Sequence, residues 1–196
     1  MDAAERRWNF LKEFNVGKYE RAKKEKLADK PIIPLCDFLN SKPNYFTSSS
    51  CSGRILVIDV PSKDKREAVF LKKWHSGVGN ERGVKEIKSI KGKIVWLRFD
   101  PFIIHISCRT LEDAQLLLKI KWDSGIRRGG IHTISEGRHS VELEGSENMA
   151  VPIMLDGKFI ADQNFLMECM KIANTKMKEN RKRFLAFEKN IYERLG

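Results

Sequence analysis

The amino-acid sequence predicts an α+β protein: a mostly antiparallel or mixed β-sheet packed with helices, closed by a long C-terminal helix. Three observations carry this. The β-branched run Arg54-Ile55-Leu56-Val57-Ile58-Asp59-Val60 lies well inside the chain and has the character of a buried strand. Apolar residues spaced by three or four mark helices at both ends. Gly77-Val78-Gly79 begins like a dinucleotide fingerprint, but Arg82 stands at the third glycine position and no strand–turn–helix context surrounds it. A Rossmann sheet is therefore not encoded. We expect a single domain over 1–196, with an N-terminal helical segment over 1–44, a sheet-rich core over 45–160 and a C-terminal helix over 161–196.

The elements follow in order. The first thirty residues are charge-dense, with Trp8, Leu11, Phe14 and Tyr19 at helical intervals, which predicts helix interrupted near Gly17. Pro34 suits the first turn of a short helix that carries Leu35, Phe38 and Leu39 inward. A polar loop leads to the strand 54–60, and 68–74 is its expected antiparallel neighbour. Gly77, Gly79 and Gly83 mark a loop; 94–99 is the next strand, and Asp100-Pro101 turns into another over 102–107. Thr110 and Asp113 have the spacing of a capping box, opening a helix whose face is Leu111, Ala114, Leu118 and Trp122 and which stops at Gly125. Two or three short strands are expected between Gly130 and Met154. Asp162 then caps the last helix, with a seam of Met170, Ala173, Met177, Asn180, Phe184, Phe187 and Ile191.

The bulk properties narrow the class. At 41% hydrophobic and 32% charged residues, the 196-residue chain has the composition of a globular protein, not a disordered one. No apolar run is long enough to span a bilayer, and the N-terminus lacks the apolar stretch of a signal peptide. Cys36, Cys51, Cys108 and Cys169 are scattered and form no Cys-x-x-Cys pair, so a reducing, cytoplasmic setting is expected. The net charge of +11 attracts polyanions, and residues 63–93 alone hold ten Lys or Arg against four Asp or Glu. A solvated surface explains such charge equally well.

Several stretches could carry chemistry. Tyr45-Phe46-Thr47-Ser48-Ser49-Ser50-Cys51-Ser52-Gly53-Arg54 gathers hydroxyls, a thiol, a glycine for close backbone approach and an arginine able to grip a carboxylate or phosphate. A plain polar turn is the alternative. His105 sits inside the apolar strand before Cys108 and Arg109, either as a satisfied core histidine or as a functional one. Residues three apart on a strand point to opposite faces, and no second pair has ligand spacing, so no metal is expected. Asp123-Ser124-Gly125-Ile126-Arg127-Arg128-Gly129-Gly130 follows its helix instead of leading one and lacks the Lys-Ser/Thr of a P-loop; it could hold an RNA phosphate or simply cap the helix. Trp74-His75 could stack on a base and titrate near neutrality, or pack on the sheet. On the last helix, Lys171, Lys178, Lys182 and Lys189 form a basic ridge, and Asn180 interrupts the apolar seam.

Together these stretches resemble one family. Tyr45 to Arg54 looks like its FTSSSCSGR signature; Phe99-Asp100-Pro101-Phe102 with His105, Cys108 and Arg109 is similar to its central motif. Asp123-Ser124-Gly125 with Arg127 and Gly130 matches the next, and Asn174, Lys176, Asn180 and Arg183 match its C-terminal helix. The family is the wybutosine-synthesis methyltransferase, third enzyme of the wyosine pathway of tRNA-Phe, and the likeness runs from about Asp29 to the end. Gly129 stands where the family often has serine.

The resemblance implies an S-adenosylmethionine-dependent enzyme that methylates nitrogen 4 of 7-(3-amino-3-carboxypropyl)-4-demethylwyosine, or a related tricyclic precursor, at position 37 in the anticodon stem-loop of tRNA-Phe. It implies a fold unlike the common methyltransferases, no metal and no membrane. On this reading Ser48, Ser49, Ser50, Cys51, Ser52 and Gly53 contact the cofactor and Arg54 takes its carboxylate. His105, or else His75, accepts the proton. Arg109, Asp123, Ser124, Gly125, Arg127, Lys176, Asn180 and Arg183 contact tRNA. Two other classes compete: a noncatalytic RNA-binding protein, and a hydrolase with Cys51 or Ser50 as nucleophile.

Overall fold

The computed structural model describes residues 2–196, the side chain of Lys65 excepted. In chain order the elements are α1 (Ala3–Lys24), α2 (Ile33–Ser41), β1 (Tyr45–Cys51), β2 (Arg54–Asp59), β3 (Val69–Trp74), α3 (Asn80–Lys88), β4 (Val95–Asp100), β5 (Ile103–Cys108), α4 (Leu111–Asp123), β6 (Ile131–Ser135), β7 (Arg138–Glu144), β8 (Met149–Leu155), β9 (Lys158–Phe159) and α5 (Gln163–Leu195). The fold is α+β with every strand pair antiparallel, as the alternating and β-branched runs predict. The strands form two sheets, and the chain divides into two compact units that interleave along the sequence.

The first unit comprises residues up to Ser52, Phe102–Ser146 and Lys182–Gly196. Its sheet has the order β1-β5-β7-β6. One face carries Ile104, Ile106, Val141 and Leu143 into a core completed by Leu35 and Leu39 of α2, Ala114, Leu117 and Ile120 of α4, and Phe184, Phe187 and Ile191 of α5. α1 crosses part of the opposite face. Trp8 is 1% exposed, lies with its ring centroid 5.0 Å from that of Phe46 and tilted 50° to it, and donates its ring N–H to the Pro43 carbonyl at 3.2 Å.

The second unit comprises Gly53–Pro101 and Glu147–Arg181, with sheet order β3-β2-β4-β8-β9. Ile55, Val57, Leu97 and Phe99 pack with Val84 and Ile87 of α3 and with Leu166, Met170, Ala173 and Met177 of α5. The spaced residues of the α5 seam, Asn180 among them, are buried as expected.

Four sequence expectations need correction. α1 runs through Gly17 without a break, because one exposed glycine costs a helix only about 1 kcal/mol. The stretch read as a polar loop is strand β1, held by its ladder to β5. Gly83 lies inside α3, where a Cβ would meet the Met170 methyl at 2.6 Å, so it is a packing glycine and not a loop residue. On α4 the buried face is Ala114, Leu117, Ile120 and Lys121; Leu111 and Trp122 are exposed, so the helix is turned from the expected face.

Candidate active site

On the first unit, the sheet face opposite the core carries a row of polar side chains. Ser49 on β1 is in register with His105 on β5, and His105 with Glu142 on β7. The His105 Nε2 lies 2.8 Å from one oxygen of Glu142, and Nε2 of His132 on β6 lies 3.2 Å from the other. The His105 Nδ1 is buried and meets no hydrogen-bond partner among the described residues. Both edge strands of this sheet carry a bulge: the register shifts between Thr47 and Ser49, leaving Ser48 extra, and between Ile131 and Thr133, leaving His132 extra. Bulges locally re-aim a side chain. Beside this row, Arg128 pairs with Glu144 at 3.2 Å.

The hydroxyls of β1 are divided between two faces. Ser48 and Ser49 are exposed. Ser50 is in register with core-facing Ile104, and its oxygen accepts from the Cys36 thiol at 3.6 Å; burial pushes that thiol's pKa up. Thr47 is tied through its N–H to the Asn40 side-chain oxygen at 2.8 Å. Ser52 donates from its N–H and its hydroxyl to Asp29, at 2.9 and 3.2 Å. Cys51 shares the side of Ser49, in register with Ile103. The six-residue run is therefore not one continuous lining, because alternation along a strand separates it.

The loop after α4 is built chiefly as a helix terminus. Ser124 donates to the Ile120 carbonyl at 2.7 Å and accepts from Asn190 of α5 at 2.8 Å, and Asp123 pairs with Arg194 at 2.6 Å. Gly125 takes φ +76, the left-handed conformation that ends helices. Lys121 is 5% exposed and donates to the Gly129 carbonyl at 2.8 Å; burial first, then nearby Arg127, lower its pKa. The Arg127 guanidinium lies 4.0 Å over the Trp122 ring, which is itself 60% exposed. Arg109 pairs with Glu5 at 3.3 Å, and Arg183 donates to the Ser146 hydroxyl at 2.8 Å.

On the second unit, Arg54 and Arg98 both reach the carboxylate of Asp100, at 3.6 and 2.9 Å. Arg54 also lies 5.1 Å over the Phe70 ring. His75 follows β3. The Gly77–Asn80 turn is clamped by Asn174, whose oxygen accepts from the Val78 N–H at 3.0 Å and whose amide donates to the Val78 carbonyl and the Asn80 side chain at 2.8 Å each. That clamp explains an asparagine on α5 that a basic ridge alone would not need. Lys176 pairs with Glu147 at 3.5 Å, and Asn180 is buried. Sequence reasoning singled out neither Asp100 as the shared partner of two arginines nor Glu142 and His132.

Two antiparallel sheets, a long terminal helix and a polar row on an open sheet face define an α+β protein outside the Rossmann class, with groups suited to proton transfer. The family described as Methyltransferase TYW3 matches residues 5–193, and the chain belongs to it. It is 33% identical over 187 residues to the tRNA(Phe) 7-((3-amino-3-carboxypropyl)-4-demethylwyosine(37)-N(4))-methyltransferase 1 of Pyrococcus abyssi, covering 89% of this chain and 96% of the relative. It is 34% identical over 166 residues to the enzyme of that type in Thermococcus sibiricus, covering 84% of each. The solved structure of the PH1069 protein from Pyrococcus horikoshii superposes with a TM-score of 0.86 at 32% identity, covering 93% of this chain and 95% of that one.

Proposed function

We propose that this chain methylates nitrogen 4 of the 7-(3-amino-3-carboxypropyl)-4-demethylwyosine base at position 37 of tRNA-Phe, with S-adenosylmethionine as methyl donor. The observation that carries the reading is the family match over residues 5–193, joined to archaeal relatives whose names state that reaction. The donor supplies a methyl group already activated on a sulfonium, which leaves the protein to orient the acceptor nitrogen and take up its proton.

The residues fit such a donor. Arg54 and Arg98 share one carboxylate, and each keeps a buried Nε–H without an acceptor among the described residues. Two cations against one anion suit a further carboxylate, and we assign it to Arg54. Ser48 and Ser49 offer exposed hydroxyls, and Gly53, at φ +94, takes a conformation that favours glycine. For the RNA, the net charge of +11 gives attraction, and Arg127 stacked on exposed Trp122 suits an unpaired base or its phosphate. An anticodon loop presents its bases at little unstacking cost. Of the two histidines expected to handle the proton, His105 stands in the polar row.

The test is calorimetric titration with S-adenosylmethionine in metal-free buffer, followed by incubation with tRNA-Phe bearing the demethylated base. Mass spectrometry of the digested nucleoside should show one added methyl group. Absence of cofactor binding at millimolar concentration, or of methyl transfer by cofactor-bound protein, refutes the reading.

A further inference from the structure

Helix α1 of the first unit has two unlike sides. On the packed side Trp8 lies against Phe46, Lys12 donates to the Lys42 and Tyr45 carbonyls, and Tyr19 donates to Asp37 at 2.7 Å. Arg7, Phe10, Phe14, Lys18 and Arg21, spaced by three or four, line up on the other side. All five are exposed, Phe10 by 67% and Phe14 by 55%, and neither ring belongs to a hydrophobic core. The two rings lie within 16° of parallel with centroids 6.3 Å apart, and the Lys18 ammonium stands 5.7 Å over Phe14. Glu5, Glu13 and Glu20 fall off this stripe; Glu5 pairs with Arg109 and Glu20 with Lys23. Neither Arg7 nor Arg21 pairs with a carboxylate among the described residues. Exposed apolar residues scattered singly need no explanation. A parallel aromatic pair between cations has the composition of a single-strand nucleic-acid platform, where bases lie on rings and phosphates on Lys or Arg.

We propose that this outer stripe of α1 is an RNA-docking ridge for a part of the tRNA other than the methylated base. Phe10 and Phe14 take an unpaired base, and Arg7, Lys18 and Arg21 take the flanking phosphates. The proposal rests on the methyl-transfer reading above, which supplies the RNA. Charge selects the occupant. The chain carries +11, and from Arg7 to Arg21 the stripe runs about 21 Å at 1.5 Å per residue, a row of cations suited to a phosphate backbone. A second copy docked on the same stripe about a twofold axis would set arginine against arginine. Two phenylalanines, at roughly 150–250 Å² each, also fall short of the ~800 Å² per partner of a stable interface. A helix that lies on a membrane needs an apolar face continued along its length, and this one has two rings on adjacent turns. Because Trp8 and Lys12 pin α1 to the unit, the ridge is held on a fixed support and little protein is ordered on binding. The stripe holds no carboxylate or histidine, so it contributes affinity and not the chemical step.

The experiment measures tRNA-Phe binding against salt concentration, with thermal melting and S-adenosylmethionine titration in parallel. The variants are Phe10→Ala with Phe14→Ala, Phe10→Leu with Phe14→Leu, Phe14→Trp alone, and the triple Arg7→Ala, Lys18→Ala, Arg21→Ala. Every substituted side chain is exposed, so melting temperatures should stay near that of wild type. Both phenylalanine pairs should bind tRNA about tenfold or more weakly, the scale of a lost base–aromatic stack, and Phe14→Trp should keep the affinity. Leucine retains apolar area without a π face, so its loss separates stacking from general apolar contact. The triple variant should flatten log affinity against log salt by about two units, three phosphates at about 0.7 each. Cofactor affinity should stay within about threefold throughout. Wild type that neither binds nor methylates the tRNA removes the functional reading and the ridge with it. With active wild type, the ridge alone is overturned if either phenylalanine pair binds tRNA within twofold of wild type, or if the triple variant leaves the slope unaltered. A dimer, or binding to anionic phospholipid vesicles, that the alanine pair abolishes would assign the stripe to a second copy or a membrane and overturn it too.

Discussion

Gly129 joins the loop after α4 to the sheet that carries Glu142, and replacing it with alanine should be far more damaging than its surface neighbourhood suggests. Its φ is +87, and a Cβ built there would lie 2.2 Å from the Glu142 carbonyl oxygen, 2.8 Å from its carbon and 3.1 Å from the Leu143 Cα. Ordinary contact begins near 3.4 Å, so the β7 backbone would have to retreat by more than an ångström, and it is fixed between β5 and β6. The left-handed conformation alone costs an L-residue about 1–2 kcal/mol. Forcing extra volume into packed structure adds roughly 1–3 kcal/mol. Gly125 supplies the control: φ is +76, but nothing lies within 4 Å of its virtual Cβ, so Gly125→Ala carries only the conformational cost. Taking about 3 kcal/mol for Gly129→Ala and a urea m-value near 2 kcal/mol per molar, the midpoint should fall by about 1.5 M. Gly125→Ala, at about 1–2 kcal/mol, should lower it by only about 0.5–1 M. Equal losses would mean that the close approach to Glu142 has no energetic weight. The same crowding applies to serine at this position.

Three further outcomes are expected. Arg54→Ala should weaken S-adenosylmethionine binding by about one to two decades, the worth of an arginine–carboxylate bond, while tRNA affinity measured by filter binding changes little; unchanged cofactor affinity in folded protein would refute the assignment. The triple variant Lys171→Ala, Lys178→Ala, Lys182→Ala should flatten the dependence of log tRNA affinity on log salt by about two units, and an unaltered slope would make these lysines a solvated face only. Burial first, then the charge of Asp113, pushes the Cys108 thiol's pKa up. The folded state keeps a proton that the unfolded chain releases, so this group's contribution is full below an unfolded thiol pKa of about 8.5 and declines as pH rises above it. Wild type should therefore lose stability relative to Cys108→Ala between pH 8.5 and 10.5 in urea titrations, and a difference independent of pH would contradict the sign.

The parts of the fold visible in the sequence were those decided locally. The capping box is one, with the Asp113 N–H donating to the Thr110 hydroxyl at 3.1 Å and Asp113 accepting in return from the Thr110 N–H. The α5 seam and the pairing of β2 with β3 are others, since a 3.6-residue period and a β-branched run declare themselves in a short window. β1 did not, because Thr-Ser-Ser-Ser is polar and becomes a strand only through a partner more than fifty residues away on β5. Lys121 was hidden for another reason: a lysine normally marks the solvent side of a helix, whereas this one satisfies backbone carbonyls of the following loop. The site was half legible. The serine–cysteine motif stands out by composition, but its division between two sheet faces depends on a bulge at Ser48. Glu142 had a signal, the alternation of Ser140, Glu142 and Glu144 with buried Val141 and Leu143. His132 had none, since a bulge decides where it points.

The interleaving of the two units sets the schedule on which this protein can be made. Any single cut between Gly53 and Arg181 divides both units, so neither can be released as a contiguous fragment. A ribosome delivers all nine strands of the described residues before it delivers α5. One core then waits for Leu166, Met170, Ala173 and Met177, and the other for Phe184, Phe187 and Ile191. One apolar sheet face is covered only by α2 and α4, and the other only by α3, until the last stretch of chain emerges, and such incomplete cover leaves nascent β-structure exposed to association with other chains. A premature stop shortly after Phe159 would thus yield a chain with every strand and neither core complete, destined for the cell's degradation machinery and not for partial activity.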